Sequence, residues 1–143
     1  MSYLEIIGAE FDEDNRILHL SAKEKIIVKT QTELNTLCSN VHTVLEKYCS
    51  DDRCYMIVDL AVFSIEPILA ESYGKKIMAI AQKFLYSKGL VRYGYQITRM
   101  TVQMSSSMQD IGDPLLFHNR DEAEKYMFSL IEKRKTVSNN PAQ

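Results

Sequence analysis

The sequence predicts an α/β domain: a mixed sheet of four to five strands that opens with an N-terminal hairpin and is covered by three main helices. Three observations carry this. Two apolar-rich segments, residues 3–11 and 16–22, flank the turn-forming run "DEDN". Three later stretches repeat apolar residues at three- and four-residue steps, the period of a helix with one buried face. Short apolar runs lie between those stretches, and strands alternating with helices favour crossover connections within one sheet.

Each element has a local reason. Asp and Asn side chains bond nearby backbone and tolerate left-handed conformations, so "DEDN" turns the first two segments into an antiparallel hairpin. "KIIVK" at residues 25–29 can extend it. The first helix follows in "TQTELNTLCSNVHTVLEKY", with Leu34, Leu37, Val41, Leu45 and Tyr48 on one face. Thr30 and Glu33 have capping-box spacing, and Thr32 competes as the cap.

"YMIVDLAVF", residues 55–63, is short and nearly continuously apolar, as a central strand covered on both faces must be. The expectation is that residues 57–60 lie between the hairpin strands and residues 100–104. Asp59 interrupts the run and should end the strand or be hydrogen-bonded. A long helix is predicted over residues 68–87, with Leu69, Tyr73, Ile77, Ile80, Ala81, Phe84 and Leu85 inward. Lys75, Lys76 and Lys83 cluster on another side, and Lys88 and Gly89 suit its end.

In "GLVRYGYQITRMTVQM" the apolar positions switch from odd (Val91, Tyr93, Tyr95, Ile97) to even (Met100, Val102, Met104). A strand cannot bury both sets on one face without a bulge or break, here near Thr98 and Arg99. Residues 98–105 form a strand on this reading, and residues 115–117 a short edge strand. Asn119 and Glu122 then cap a last helix whose apolar face is Ala123, Tyr126, Met127, Leu130 and Ile131. Acids at its start and Lys133 to Lys135 at its end suit the helix dipole. Residues 1–135 form a single domain, and the polar run "TVSNNPAQ", residues 136–143, is a flexible tail.

At 143 residues the chain is long enough to bury a sizeable core. It is 45% hydrophobic and 25% charged, ordinary for a globular domain, and no apolar run is long enough to span a bilayer. The start lacks a basic segment followed by an apolar core, so a cytoplasmic address is expected. Cys38, Cys49 and Cys54 are then expected as reduced thiols, although a Cys49–Cys54 bridge is conceivable. The net charge is −2; residues 1–70 hold 6 basic and 12 acidic side chains, residues 71–143 hold 11 and 7. Few basic residues and a negative total argue against nucleic acid.

The element order, together with "MIVDLAVFSIEP", resembles the anti-sigma-factor-antagonist family, the STAS or SpoIIAA-like domains. The ending "RMTVQMSS…PLLFHNRDEAEKYMFSLI" is similar to the SpoIIAA-like branch related to SEC14 folds. The resemblance covers most of residues 3–131. It implies a non-enzymatic regulatory or protein-interaction module in a bacterial-type cytoplasm, or, from the SEC14 side, a small-molecule or lipid-binding pocket. The antagonists place an Asp-Ser pair before their second helix, and that serine is a phosphorylation switch. Here the loop reads Ile65-Glu66-Pro67 with Ser64 before it. Ser64 is the candidate modified or anion-binding position, but Glu66 already supplies negative charge there, so efficient phosphorylation is not expected.

No catalytic motif stands out, and no cofactor is implied. Cys38, His42, Cys49 and Cys54 are a thinkable zinc set, yet they lack the tight ligand pairs that announce such sites. His19 and His118 have no local catalytic partner. The candidate binding surface combines Arg92, Tyr93, Tyr95 and Arg99 with Lys76 and Lys83, because Tyr with Arg is enriched at recognition surfaces. It would suit an acidic protein partner or an anionic small ligand, and the charge asymmetry also permits a homo-oligomer.

Overall fold

The computed structural model of the protein describes residues 2–94 and 116–138. The hairpin is present: β1 (Ile7–Asp12) and β2 (Ile17–Ala22) pair antiparallel, from Ile7 opposite Ala22 to Asp12 opposite Ile17. In the turn the Asp12 carboxylate accepts from the Asn15 backbone and side chain, which holds that carboxyl below its usual range. Arg16 takes the left-handed conformation and donates to the carbonyls of Tyr48, Asp52 and Arg53. β3 (Ile26–Val28) does not extend the hairpin. It pairs in parallel with β5 (Phe63–Ile65) in a separate two-stranded sheet, because Ile26 and Val28 turn into the core and need a partner there.

α1 (Gln31–Cys49) starts at Thr30, whose hydroxyl accepts from the Glu33 amide while the Glu33 carboxylate accepts from the Thr30 amide. Thr30, not Thr32, is therefore the cap. β4 (Cys54–Asp59) follows and is central, in a main sheet ordered β1-β2-β4-β6-β7 among the described residues. Asp59 ends it and accepts from the Ala61 amide at 2.9 Å, opening a single 3-10 turn, Leu60–Val62. The strand expected over residues 55–63 is thus two strands broken by that turn.

The neighbour of β4 also differs from expectation. A 3-10 turn, Pro67–Leu69, leads into α2 (Ala70–Phe84), which stops three residues before its predicted end. β6 (Leu85–Tyr93) begins at once and pairs in parallel with β4. Cys54 lies opposite Leu85 but Met56 opposite Leu90, so residues between them bulge out, with Lys88 at φ 60°. The predicted neighbour, residues 100–104, and the break near Thr98 and Arg99 lie outside the described residues. Gly94, at φ +137°, lets the chain leave β6 against the turn after β4; a Cβ there would stand 2.6 Å from the Ala61 nitrogen.

β7 (Leu116–Phe117) is parallel to β6 and is an edge strand among the described residues. α3 (Arg120–Ser138) follows, and Asn119 accepts from the Glu122 amide. The Glu122 carboxylate takes the amide of His118, not that of the cap residue. α3 continues to Ser138, into the segment read as a tail.

Two cores result. α1 and α2 cover the sheet face carrying Leu18, Leu20, Met56 and Val58, while α3 covers Ile17, Tyr55, Ile57 and Val91 with Ala123, Met127 and Ile131. Cys49 and Cys54 form a disulfide joining the end of α1 to the start of β4, with Cα atoms 6.0 Å apart. This corrects the expectation of reduced thiols. The loop between them returns the chain so that both cysteines are buried in the same core, with the sulfurs within bonding reach. Cys38 is a free, buried thiol. Among the described residues no group of three or more His, Cys, Asp or Glu could hold a metal, and no helix is long and apolar enough to cross a membrane.

Candidate functional site

The end of β6 carries chemistry to both faces of the sheet. Side chains alternate along a strand, so Arg92 and Tyr93 must point opposite ways. Arg92, opposite Val58, enters the layer under α1 and α2; Tyr93, opposite Asp59, enters the α3 layer.

Arg92 is only 5% exposed. It lies in the wall of a cavity otherwise lined, among the described residues, by Leu20, Leu37, Val41, Met56, Ile77, Ile80 and other apolar groups, with Tyr73 and Cys38. Arg92 and Tyr73 line the same cavity, close enough for the guanidinium charge to act on the hydroxyl. No ion pair to Arg92 is formed among the described residues. Burial pushes the Tyr73 hydroxyl above its ordinary pKa, against the opposing charge of Arg92. Burial likewise lifts the Cys38 thiol to about 11, with Lys76 opposing, so it is neutral and unreactive near pH 7. The cavity volume is about 40 Å³.

A buried charge ordinarily has a partner, because leaving water costs several kcal/mol that only pairing and hydrogen bonds repay. Among the described residues the cavity presents one guanidinium and one hydroxyl in an otherwise apolar wall that also holds the Cys38 thiol.

On the other face, His19 and Tyr93 meet with Nε2 and the hydroxyl 2.7 Å apart and rings stacked. Burial lowers the His19 pKa, helped by Arg120 and opposed by Glu10, Asp59 and Glu124. Burial, then Asp59, pushes Tyr93 up to about 12. Both groups are therefore neutral near pH 7. Beside them Arg120 pairs with Glu124 at 2.7 Å and Glu10 at 3.1 Å, along a cleft of about 250 Å³ that Phe11 and Phe128 also line.

The residues singled out from sequence are dispersed. Lys76 and Lys83 follow the α1–α2 seam: Lys76 acts on Cys38, and Lys83 Nζ lies 3.2 Å from His42 Nε2 and over the Phe84 ring. Arg92, placed by the sequence on a candidate binding surface, is buried instead, because its position in β6 faces the larger core. Tyr95 and Arg99 lie outside the described residues. Ser64 sits within β5, half-buried, so it belongs to a strand and not to the start of α2. Sequence reasoning missed Tyr73 and Cys38 as residues of this cavity, having read one as helix stripe and the other as a reduced thiol in a discounted zinc set. The only signal for them was that both lie on inward helix faces. No family model, no curated protein and no solved structure matches the chain.

Proposed function

We propose that the chain is a non-enzymatic regulatory module on a STAS or SpoIIAA-like scaffold, which responds to a small anionic molecule held between α1, α2 and the sheet. One observation carries the ligand: Arg92, buried in an apolar wall with a tyrosine hydroxyl and no carboxylate among the described residues. The scaffold reading is supported by the opening hairpin, the helix that follows it, and Val58-Asp59-Leu60 ending the central strand before α2. Small ligand pockets are mostly apolar with a few convergent polar groups, which describes this cavity. This favours the small-ligand reading over an acidic protein partner, since the buried Arg92 is not on a surface that a folded partner reaches.

Native mass spectrometry of protein isolated from its own cells tests the reading. A small acidic molecule should accompany the wild type and be lost from Arg92→Met. Equal occupancy in both proteins, or none in either even after small anions are added, would overturn it.

A further inference from the structure

We propose that the anion is a short, unsubstituted monocarboxylate, its carboxylate seated on Arg92 and Tyr73 and its chain lying among Leu37, Val41, Ile77 and Ile80. This rests on the anion-binding reading above and names its chemistry. Charge comes first. Arg92 is the only cation lining the cavity among the described residues, so one negative charge balances it. A doubly charged anion would replace a buried positive excess with a negative one.

Geometry points the same way. The planar guanidinium presents paired N–H donors that match a carboxylate's two oxygens. Tyr73 is held protonated by its burial, so it keeps a hydroxyl hydrogen to donate once an anion arrives. It shares the cavity wall with Arg92, so turning that hydrogen toward a carboxylate beside the guanidinium makes a two-residue cradle.

The rest of the wall decides the tail. Its other polar group among the described residues is the Cys38 thiol, a weak donor. A hydroxyl or amino substituent on the ligand would be buried without a strong partner, at a cost of about 1–3 kcal/mol. An alkyl chain meets only apolar neighbours. Size sets the length. One water needs roughly 10–15 Å³ of such space. About 40 Å³ therefore takes a carboxylate and a few carbons, and a long chain would have to push side chains aside.

The test is calorimetric titration of the full chain, stripped of small molecules, with sodium butyrate as the probe. Butan-1-ol, butylammonium chloride and sodium phosphate are comparators at matched ionic strength, and hexanoate and octanoate extend the chain. Butyrate should bind at least about tenfold more tightly than each comparator, a difference of about 1.4 kcal/mol. It should also weaken about tenfold or more in Arg92→Met and severalfold in Tyr73→Phe, with both variants folded by circular dichroism. Octanoate should bind more weakly than butyrate. Phosphate binding more tightly than butyrate, and lost in Arg92→Met, would overturn the monocarboxylate while the anion-binding reading stands. Affinity rising steadily to octanoate would overturn the short chain in the same way. Butanol and butyrate binding alike, with Arg92→Met unchanged, would overturn both; so would no binding of any probe at millimolar concentration. The wild-type probe series decides between these outcomes even if a variant fails to fold.

Discussion

Two arginines flank the same sheet and are treated in opposite ways. Arg120, on the α3 face, has a side chain 43% exposed and is clamped by the carboxylates of Glu10 and Glu124. Arg92, on the α1–α2 face, is almost wholly buried and shares its cavity, among the described residues, with the Tyr73 hydroxyl and no carboxylate. The first has its charge answered by its own chain while water still reaches it. The second has lost water and gained no opposing charge among the described residues. The roomier cleft beside Arg120 is therefore the weaker candidate for an anion, and the smaller cavity beside Arg92 the stronger. Volume alone would have ranked them the other way.

The two faces can be separated by breaking one core at a time, which gives the largest expected effect. Met56 and Met127 are both fully buried, on opposite sides of the sheet. Met56→Ala and Met127→Ala should each lower unfolding stability by about 2–5 kcal/mol in urea titrations. Only Met56→Ala enlarges the cavity, and it should shift the preferred acid toward a longer chain. Met127→Ala should leave the preference where it is. An equal shift from both would mean that the cavity does not choose the ligand.

A smaller effect should come from pH, and it belongs to the α3 face. The folded pKa of His19 lies below its ordinary value, so the unfolded chain takes up the proton first as the pH falls. His19 should not reduce stability above about pH 6.5. Below that, stability should decline until the pH reaches the lower folded value. Thermal unfolding across this range should show the decline in wild type and a flatter curve in His19→Gln. An equally steep curve in the variant would assign the decline to other groups.

Legibility followed the range of the interactions. The capping box of α1 spans four residues and is readable from Thr30 and Glu33 alone. The hairpin turn and the bonded Asp59 are equally local. The end of α2 is not. Leu85 fits a helical stripe as well as a strand, and what makes it a strand is Cys54 alongside it and Arg53 donating to its carbonyl. The site shows the same division. Arg92 and Tyr93 were both picked from composition, yet strand alternation sends them to opposite faces once residues 85–93 are known to be β6. The partner of His19 lies 74 residues away, and Tyr73 reaches Arg92 from a different element, so no local spacing announces either pair.

The absence, among the described residues, of a charge opposing Arg92 is tested most directly by equilibrium unfolding of the ligand-stripped protein carrying Arg92→Met and Tyr73→Phe together, beside Arg120→Met. Replacing both members of a poorly compensated buried pair by apolar groups of similar shape should leave stability unchanged or raise it by up to about 4 kcal/mol. Arg120→Met, which cuts a solvent-screened ion pair, should cost no more than about 1 kcal/mol. If the double variant instead loses about 3–5 kcal/mol, the loss expected when a compensated buried charge is removed from its partners, Arg92 is already paired and the cavity needs no anion.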